Sequence, residues 1–91
     1  MFLKGRYYSC LYLKNYLNVN RVGIVVKKKY GNAVFRNYEK RIIREFFRTS
    51  KSYFTDFYDL IIILHKKSDS YFEKKKDYID LISKIEKNEK K

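Results

Sequence analysis

The 91-residue chain has no proline, no tryptophan, one cysteine, one histidine and three glycines. A lone Cys10 excludes an internal disulfide or a multi-cysteine metal site, and suits a reducing compartment. A lone His65 has no second histidine or paired cysteine nearby with which to hold a metal or activate a nucleophile. Carboxylates are few, 10 against 22 lysines and arginines, and they do not cluster as a metal-dependent protein nuclease would require. The longest apolar run, Leu60 to Leu64, is far short of the ~20 residues of a membrane span. The opening MFLKGRYYSC lacks an apolar signal core. A soluble cytoplasmic protein with no membrane association is expected, built as a single domain over residues 1–91.

Against these absences stands a formal charge of +12, together with 45% hydrophobic residues. That apolar share is enough for a packed core, so the charge belongs on a folded surface and calls for an anionic partner, by default nucleic acid. A coding bias toward Lys, Ile, Tyr, Asn and Phe accounts for part of the lysine, but it does not explain where arginine sits. Lysine outnumbers arginine 16 to 6, yet four of the six arginines lie between Arg36 and Arg48, where lysine occurs once. Arginine offers phosphate a planar two-pronged fork that lysine lacks.

Alternation over Tyr7–Leu17 predicts a strand, with Tyr8, Cys10 and Tyr12 on one face and Leu11 and Leu13 on the other. Asn15, Asn18 and Asn20 mark a connection to the β-branched run Val22–Val26, and the two strands are expected to pair as an antiparallel hairpin. Residues 27–32 form a turn in which Gly31 is free to take positive φ and Asn32 caps the next helix. On that helix Phe35, Tyr38, Ile42, Ile43 and Phe46 share an apolar arc, while Arg36, Asn37, Lys40, Arg41, Arg44 and Arg48 share a cationic one. Glu39 is the misfit in the apolar arc, where it gains from the helix dipole or reaches a neighbouring cation. Phe57–Leu64 reads as a strand buried on both faces. Ser70 and Glu73 form a capping box opening a helix with Tyr71, Tyr78, Leu81, Ile82 and Ile85 on one side. Asp77, Asp80 and Glu86 interleave with lysines at ion-pair spacing. The tail after Glu86 is expected to fray, with residues 88–91 outside the fold.

Residues 21–48, RVGIVVKKKYGNAVFRNYEKRIIREFFR, resemble the signature of the bacterial ribonuclease P protein subunit, the RNR-motif family. There a strand of type RVG-hydrophobic-V leads through KK-x-GNAV-x-RN into a helix carrying KR-x-x-RE. LYLKN, DLIIIL and SYFEKKKDYIDLISKI are similar to the family's flanking strands and closing helix, so the likeness runs from about Leu11 to Lys87. Arg36-Asn37-Tyr38 departs from the family's RNR triplet, Glu39 replaces a usually apolar residue, and Lys27 stands where serine is common. Phe2 and Gly5 look like the remnant, within residues 1–6, of the F-x-x-G end of the family's first helix, which implies a shortened N-terminus.

The resemblance implies an α+β fold: a small α/β sandwich with a mixed sheet of three to four strands in β-β-α-β-α order and a left-handed βαβ crossover. It implies an accessory subunit of an endoribonuclease whose RNA subunit cleaves with bound Mg²⁺, so that no protein residue is catalytic. The partners would be the catalytic P RNA and precursor tRNA with its 5′ leader, with no protein oligomer required. Carried over by position, Lys28, Lys29, Arg36, Asn37, Lys40, Arg41 and Arg44, extended along the same ridge to Arg48, would contact RNA. Asn37 would help organise metal or water near the cleavage site. Phe2, Tyr8 and Tyr12 would face the leader. A structural rRNA-binding protein shares the charge and size but has no need of GNAV-x-RN, and sequence-specific DNA binding by the arginine helix is the third reading.

Overall fold

In the computed structural model, which describes residues 1–89, the elements run β1 (Phe2–Lys4), β2 (Tyr8–Lys14), β3 (Arg21–Val25), α1 (Ala33–Thr49), β4 (Tyr58–Leu64) and α2 (Tyr71–Glu89). Single 3-10 turns at Lys28–Tyr30 and Lys51–Tyr53 precede and follow α1. The sheet order is β1-β2-β4-β3. β2 is antiparallel to both β1 and β4, and β3 is parallel to β4, so β3-α1-β4 is a βαβ unit between adjacent strands. The result is the expected α+β architecture with a four-stranded mixed sheet.

Several local expectations are corrected. β2 and β3 do not form a hairpin, because β4 lies between them. β4 is the most aliphatic strand, and the central position gives it a partner on each side. The parallel register of β3 is pinned by Arg21, which faces Asp59 and forks onto its carboxylate through Nε (2.7 Å) and a terminal nitrogen (2.6 Å). Residues 2–4 are an edge strand and not a helix remnant, since they pair with Ser9–Leu11.

Both helices cover one sheet face. α1 packs on β3, and α2 on β1 and β2. Their buried residues Ile42, Ile43, Phe46, Tyr78, Leu81, Ile82 and Ile85 meet Tyr8, Cys10, Tyr12, Leu60, Ile62 and Leu64 in one core. β4 is therefore covered on one face only: Leu60 and Ile62 are buried while Ile61 is exposed. The apolar arc of α1 also sits slightly differently from expectation, with Phe47 buried and Tyr38 exposed.

Glu39 settles inside this core at 2% exposure and accepts from Lys74 Nζ of α2 at 3.0 Å. Lys74 is buried as well, so the cation that Glu39 reaches comes from the other helix. Asp77 serves a different partner than a neighbouring lysine. Its carboxylate accepts the backbone N–H groups of Arg6, Tyr7 and Tyr8 at 2.8, 2.9 and 3.0 Å, which fastens the β1–β2 turn to α2. Gly5 is needed there because a Cβ would lie 2.6 Å from Asp77 Oδ1. Glu86 likewise accepts from the backbone and hydroxyl of Thr55.

Gly31 has extended backbone at φ 163° and not the positive-φ turn expected; its role is steric, since a Cβ would meet the Phe35 ring at 2.6 Å. Asn32 caps α1 as expected, accepting from Phe35 N at 2.9 Å. Ser70 Oγ accepts from Glu73 N at 3.2 Å, one half of the capping box. The Glu73 carboxylate instead accepts from the Tyr7 hydroxyl at 2.8 Å. Helix α2 continues through Glu89, beyond the expected fraying point, and residues 90–91 lie outside the described residues.

Candidate nucleic-acid interface

Because β3 and β4 run parallel and β2 opposes them, the β1–β2 turn, the C-terminal ends of β3 and β4 and the N-terminal ends of both helices gather at one end of the molecule. Tyr30 ties this end together by donating its hydroxyl to the His65 carbonyl at 2.8 Å. Arg6, Lys27, Lys28, Lys29, Lys66 and Lys67 are all exposed there. Two helix N-termini add their positive dipole ends to these charges. A strong local anion preference follows.

Lys66 and Lys67 were not singled out from the sequence. Lys67 Nζ lies 4.8 Å from the centre of the Phe35 ring, which brings it onto the motif helix. The signal was available in principle: if the strand before KKK and the strand before HKK are parallel neighbours, both lysine runs must emerge side by side.

On α1 the buried stripe of Glu39, Ile42, Ile43, Phe46 and Phe47 orients the rest of the helix. Asn37, Arg41, Arg44 and Arg48 are exposed, while Arg36 and Lys40 are half-buried at the margin of the stripe. Residues four apart on a helix stand about 6 Å from one another, so Arg36, Lys40 and Arg44 form a ridge. Among the described residues no carboxylate lies within 4.0 Å of Arg36, Lys40, Arg41, Arg44, Lys28 or Lys29, whereas Arg48 is forked onto Glu45. The Arg48 guanidinium holds the Glu45 carboxyl below the usual range. Arg36 Nε is buried without a hydrogen-bond partner among the described residues.

The uncovered sheet face is apolar. Phe2, Leu11, Leu13, Val25 and Ile61 are exposed on it, because residues alternate across a strand and their neighbours Tyr8, Cys10 and Tyr12 point to the helices. Tyr8 and Tyr12 are therefore corrected: both are buried core residues, and neither ring is open to a ligand on that face. Phe2 does lie on the open face, paired across from Leu11. Charged residues on the strands of this face include Lys4, Arg21 and Asp59, and Asp59 is engaged. Hydrogen bonds from Arg21 and then Asn15 hold its carboxyl down at about 2.

His65 Nδ1 lies 2.7 Å from Ser9 Oγ and Nε2 lies 3.1 Å from the Arg6 carbonyl, so both ring nitrogens are used in holding the strand ends. Burial pushes the Cys10 thiol up to about 12. No group of three or more His, Cys, Asp or Glu that would suit a metal ion is present among the described residues, and no helix there is long and apolar enough to cross a membrane.

A cationic helix on one side of the sheet, an uncovered apolar face on the other and a lysine-rich end are surfaces suited to single-stranded or irregular nucleic acid. The family model described as Ribonuclease P matches residues 2–86. The chain belongs to the Ribonuclease P family. The "Ribonuclease P protein component" of Thermotoga petrophila is 44% identical over 71 residues, covering 78% of this chain and 61% of the relative. That of Natranaerobius thermophilus is 37% identical over 91 residues, covering 92% and 79%. The chain thus spans about three-fifths of the length of the Thermotoga relative. Among solved structures, the RNase P protein from Thermotoga maritima superposes with a TM-score of 0.85 at 31% identity, covering 92% of this chain and 82% of that one. The Staphylococcus aureus RNase P protein gives 0.80 at 32% identity, covering 96% and 81%. Membership of the Ribonuclease P family accounts for the shared βαβ frame that puts the KKK turn and the arginine helix at one end.

Proposed function

We propose that this chain is the accessory protein of a ribonuclease P holoenzyme: it binds the catalytic P RNA and the 5′ leader of precursor tRNA and promotes endonucleolytic 5′ maturation. The observation that carries this reading is the unpaired ridge of Arg36, Lys40, Arg41 and Arg44, with Lys28 and Lys29 at the N-terminal end of its helix and an uncovered apolar face on the other side of the sheet, in a chain of this family. The ridge suits the phosphates of a folded RNA. The open face suits the bases of an extended leader. Bond cleavage would be the work of the RNA subunit, which would hold the Mg²⁺; on this chain the exposed Asn37 amide would orient water or a hydrated ion at the RNA contact. The exposed Arg48, already forked onto Glu45, would add little. This is work for the cytoplasm, and it requires no protein oligomer.

Reconstitution tests the proposal. Mixed with a bacterial P RNA at low Mg²⁺, the chain should accelerate 5′ processing of a precursor tRNA and raise its affinity over mature tRNA. No stimulation at any protein ratio would sink it. Within that frame, Arg44→Ala should reduce the slope of log affinity for P RNA against log salt by about one unit, as expected when one phosphate contact is lost. An unchanged slope would take Arg44 off the interface.

A further inference from the structure

At the end of the sheet opposite the lysine turns, the loop between β2 and β3 holds two non-glycine residues in the left-handed region, Tyr16 at φ 58° and Asn18 at φ 62°. Asparagine tolerates this conformation, but a bulky aromatic residue does so only where its surroundings impose it. Here they do. Asn15 Nδ2 donates to the Val19 carbonyl at 2.9 Å and to Asp59 at 3.0 Å, while its Oδ1 accepts from Leu17 N at 2.8 Å. Asn20 Oδ1 accepts from Tyr58 N at 2.7 Å, which fixes the far side of the loop to β4. The outcome is a well-anchored loop whose Tyr16 ring is 80% exposed.

Tyr16 is not among the residues that form the core. The aspartates flanking the loop are both paired with cations, Asp56 with Lys14 at 2.9 Å and Asp59 with Arg21 at 2.6 Å, while the nearby Glu86 is buried and turned onto Thr55, so repulsion of an approaching polyanion is reduced. Leu13, 70% exposed at the end of β2, continues the open face toward the loop. From the lysine end to this end is the length of β2, about 20 Å, which an extended single strand covers in roughly three to four nucleotides.

We propose that Tyr16 is a stacking site for an unpaired base of the leader, several nucleotides upstream of the cleavage point. The inference rests on the open face being the leader's path, as proposed above, and it names where that path ends. A tyrosine face accepts any base, so the site lengthens the grip on the leader without reading its sequence.

The test uses holoenzyme reconstituted with P RNA and two precursors, one with a leader of roughly two nucleotides and one of roughly ten. Tyr16→Gly removes the ring and suits the left-handed backbone, so the loop is retained. It should weaken binding of the long-leader precursor roughly tenfold and leave the short one unchanged, while Tyr16→Phe keeps both affinities. Equal affinity of Tyr16→Gly and the original chain for the long leader overturns the site alone. An original chain with no leader-length dependence overturns the leader path and the site together. A fall in molar mass on Tyr16→Gly, with leader binding unchanged, overturns the proposal in favour of contact with a second copy of this chain.

Discussion

The two faces of the sheet invert the usual distribution of polarity. The face covered by helices encloses the Glu39–Lys74 ion pair and the hydroxyls of Tyr8 and Tyr12, which have no partner among the described residues. Burial, with the charges of Glu39 and Asp77 behind it, pushes the Tyr8 hydroxyl far above its ordinary value. The open face, in contact with water, carries Phe2, Leu11, Leu13, Val25 and Ile61. A buried ion pair contributes little net stability and much orientation, because both charges lose water and only each other's company offsets it. An exposed aliphatic face contributes nothing to the core and is suited to a ligand. The covered face thus fixes how α1 sits, and the open face is left for binding.

Breaking the covered face should have the largest effect. Lys74→Ala strands the Glu39 carboxylate in the core and should cost about 3–5 kcal/mol in urea unfolding. The pair Glu39→Leu with Lys74→Met should regain most of that stability. A double variant as weak as the single one would show that the ion pair is itself strongly stabilising. Next, Asp77→Ala removes the acceptor of three backbone N–H groups and should cost about 2 kcal/mol, with faster amide exchange confined to residues 6–8. Uniform exchange across the sheet would argue against a local anchor.

On the open face, Leu13→Ser should change stability by less than about 0.5 kcal/mol, yet lower discrimination for leader-bearing precursor. A large loss of stability there would mean that the face is not free. The smallest effect concerns pH. The folded-state pKa of Asp59 is depressed, so whatever the Arg21–Asp59 fork contributes is present above the ordinary carboxylate range and is lost as pH falls through about 2. The Asp59 carboxyl carbon should therefore titrate near 2 by NMR. An inflection near the ordinary value of about 4 would dissolve the fork in solution.

How much was legible varies by element. The division of α1 into an apolar stripe and a cationic flank follows from the 3.6-residue period, and its orientation shifted only from Tyr38 to Phe47. Glu39 was visible as a misfit, but its partner Lys74 lies 35 positions away on another helix, where no local pattern points. For β2, alternation separated Tyr8, Cys10 and Tyr12 from Leu11 and Leu13 but both sets are apolar, so the pattern alone did not say which faces the helices. Adjacency in sequence suggested that β2 pairs with β3. The greater aliphatic content of β4 displaced that pairing.

By itself the sequence determined the elements that depend on short-range order: the Asn32-capped arginine helix, the aliphatic β4, the Ser70-initiated α2, the concentration of arginine between residues 36 and 48, and the motif that places the chain in its family. Only the tertiary structure decided which sheet face is open, that the KKK and HKK runs meet at one end, that Asp77 holds the β1–β2 turn, and that Tyr16 stands clear of the loop. Those outcomes depend on contacts between residues far apart in the chain. Periodicity assigns a residue to a face, but long-range packing determines what covers that face.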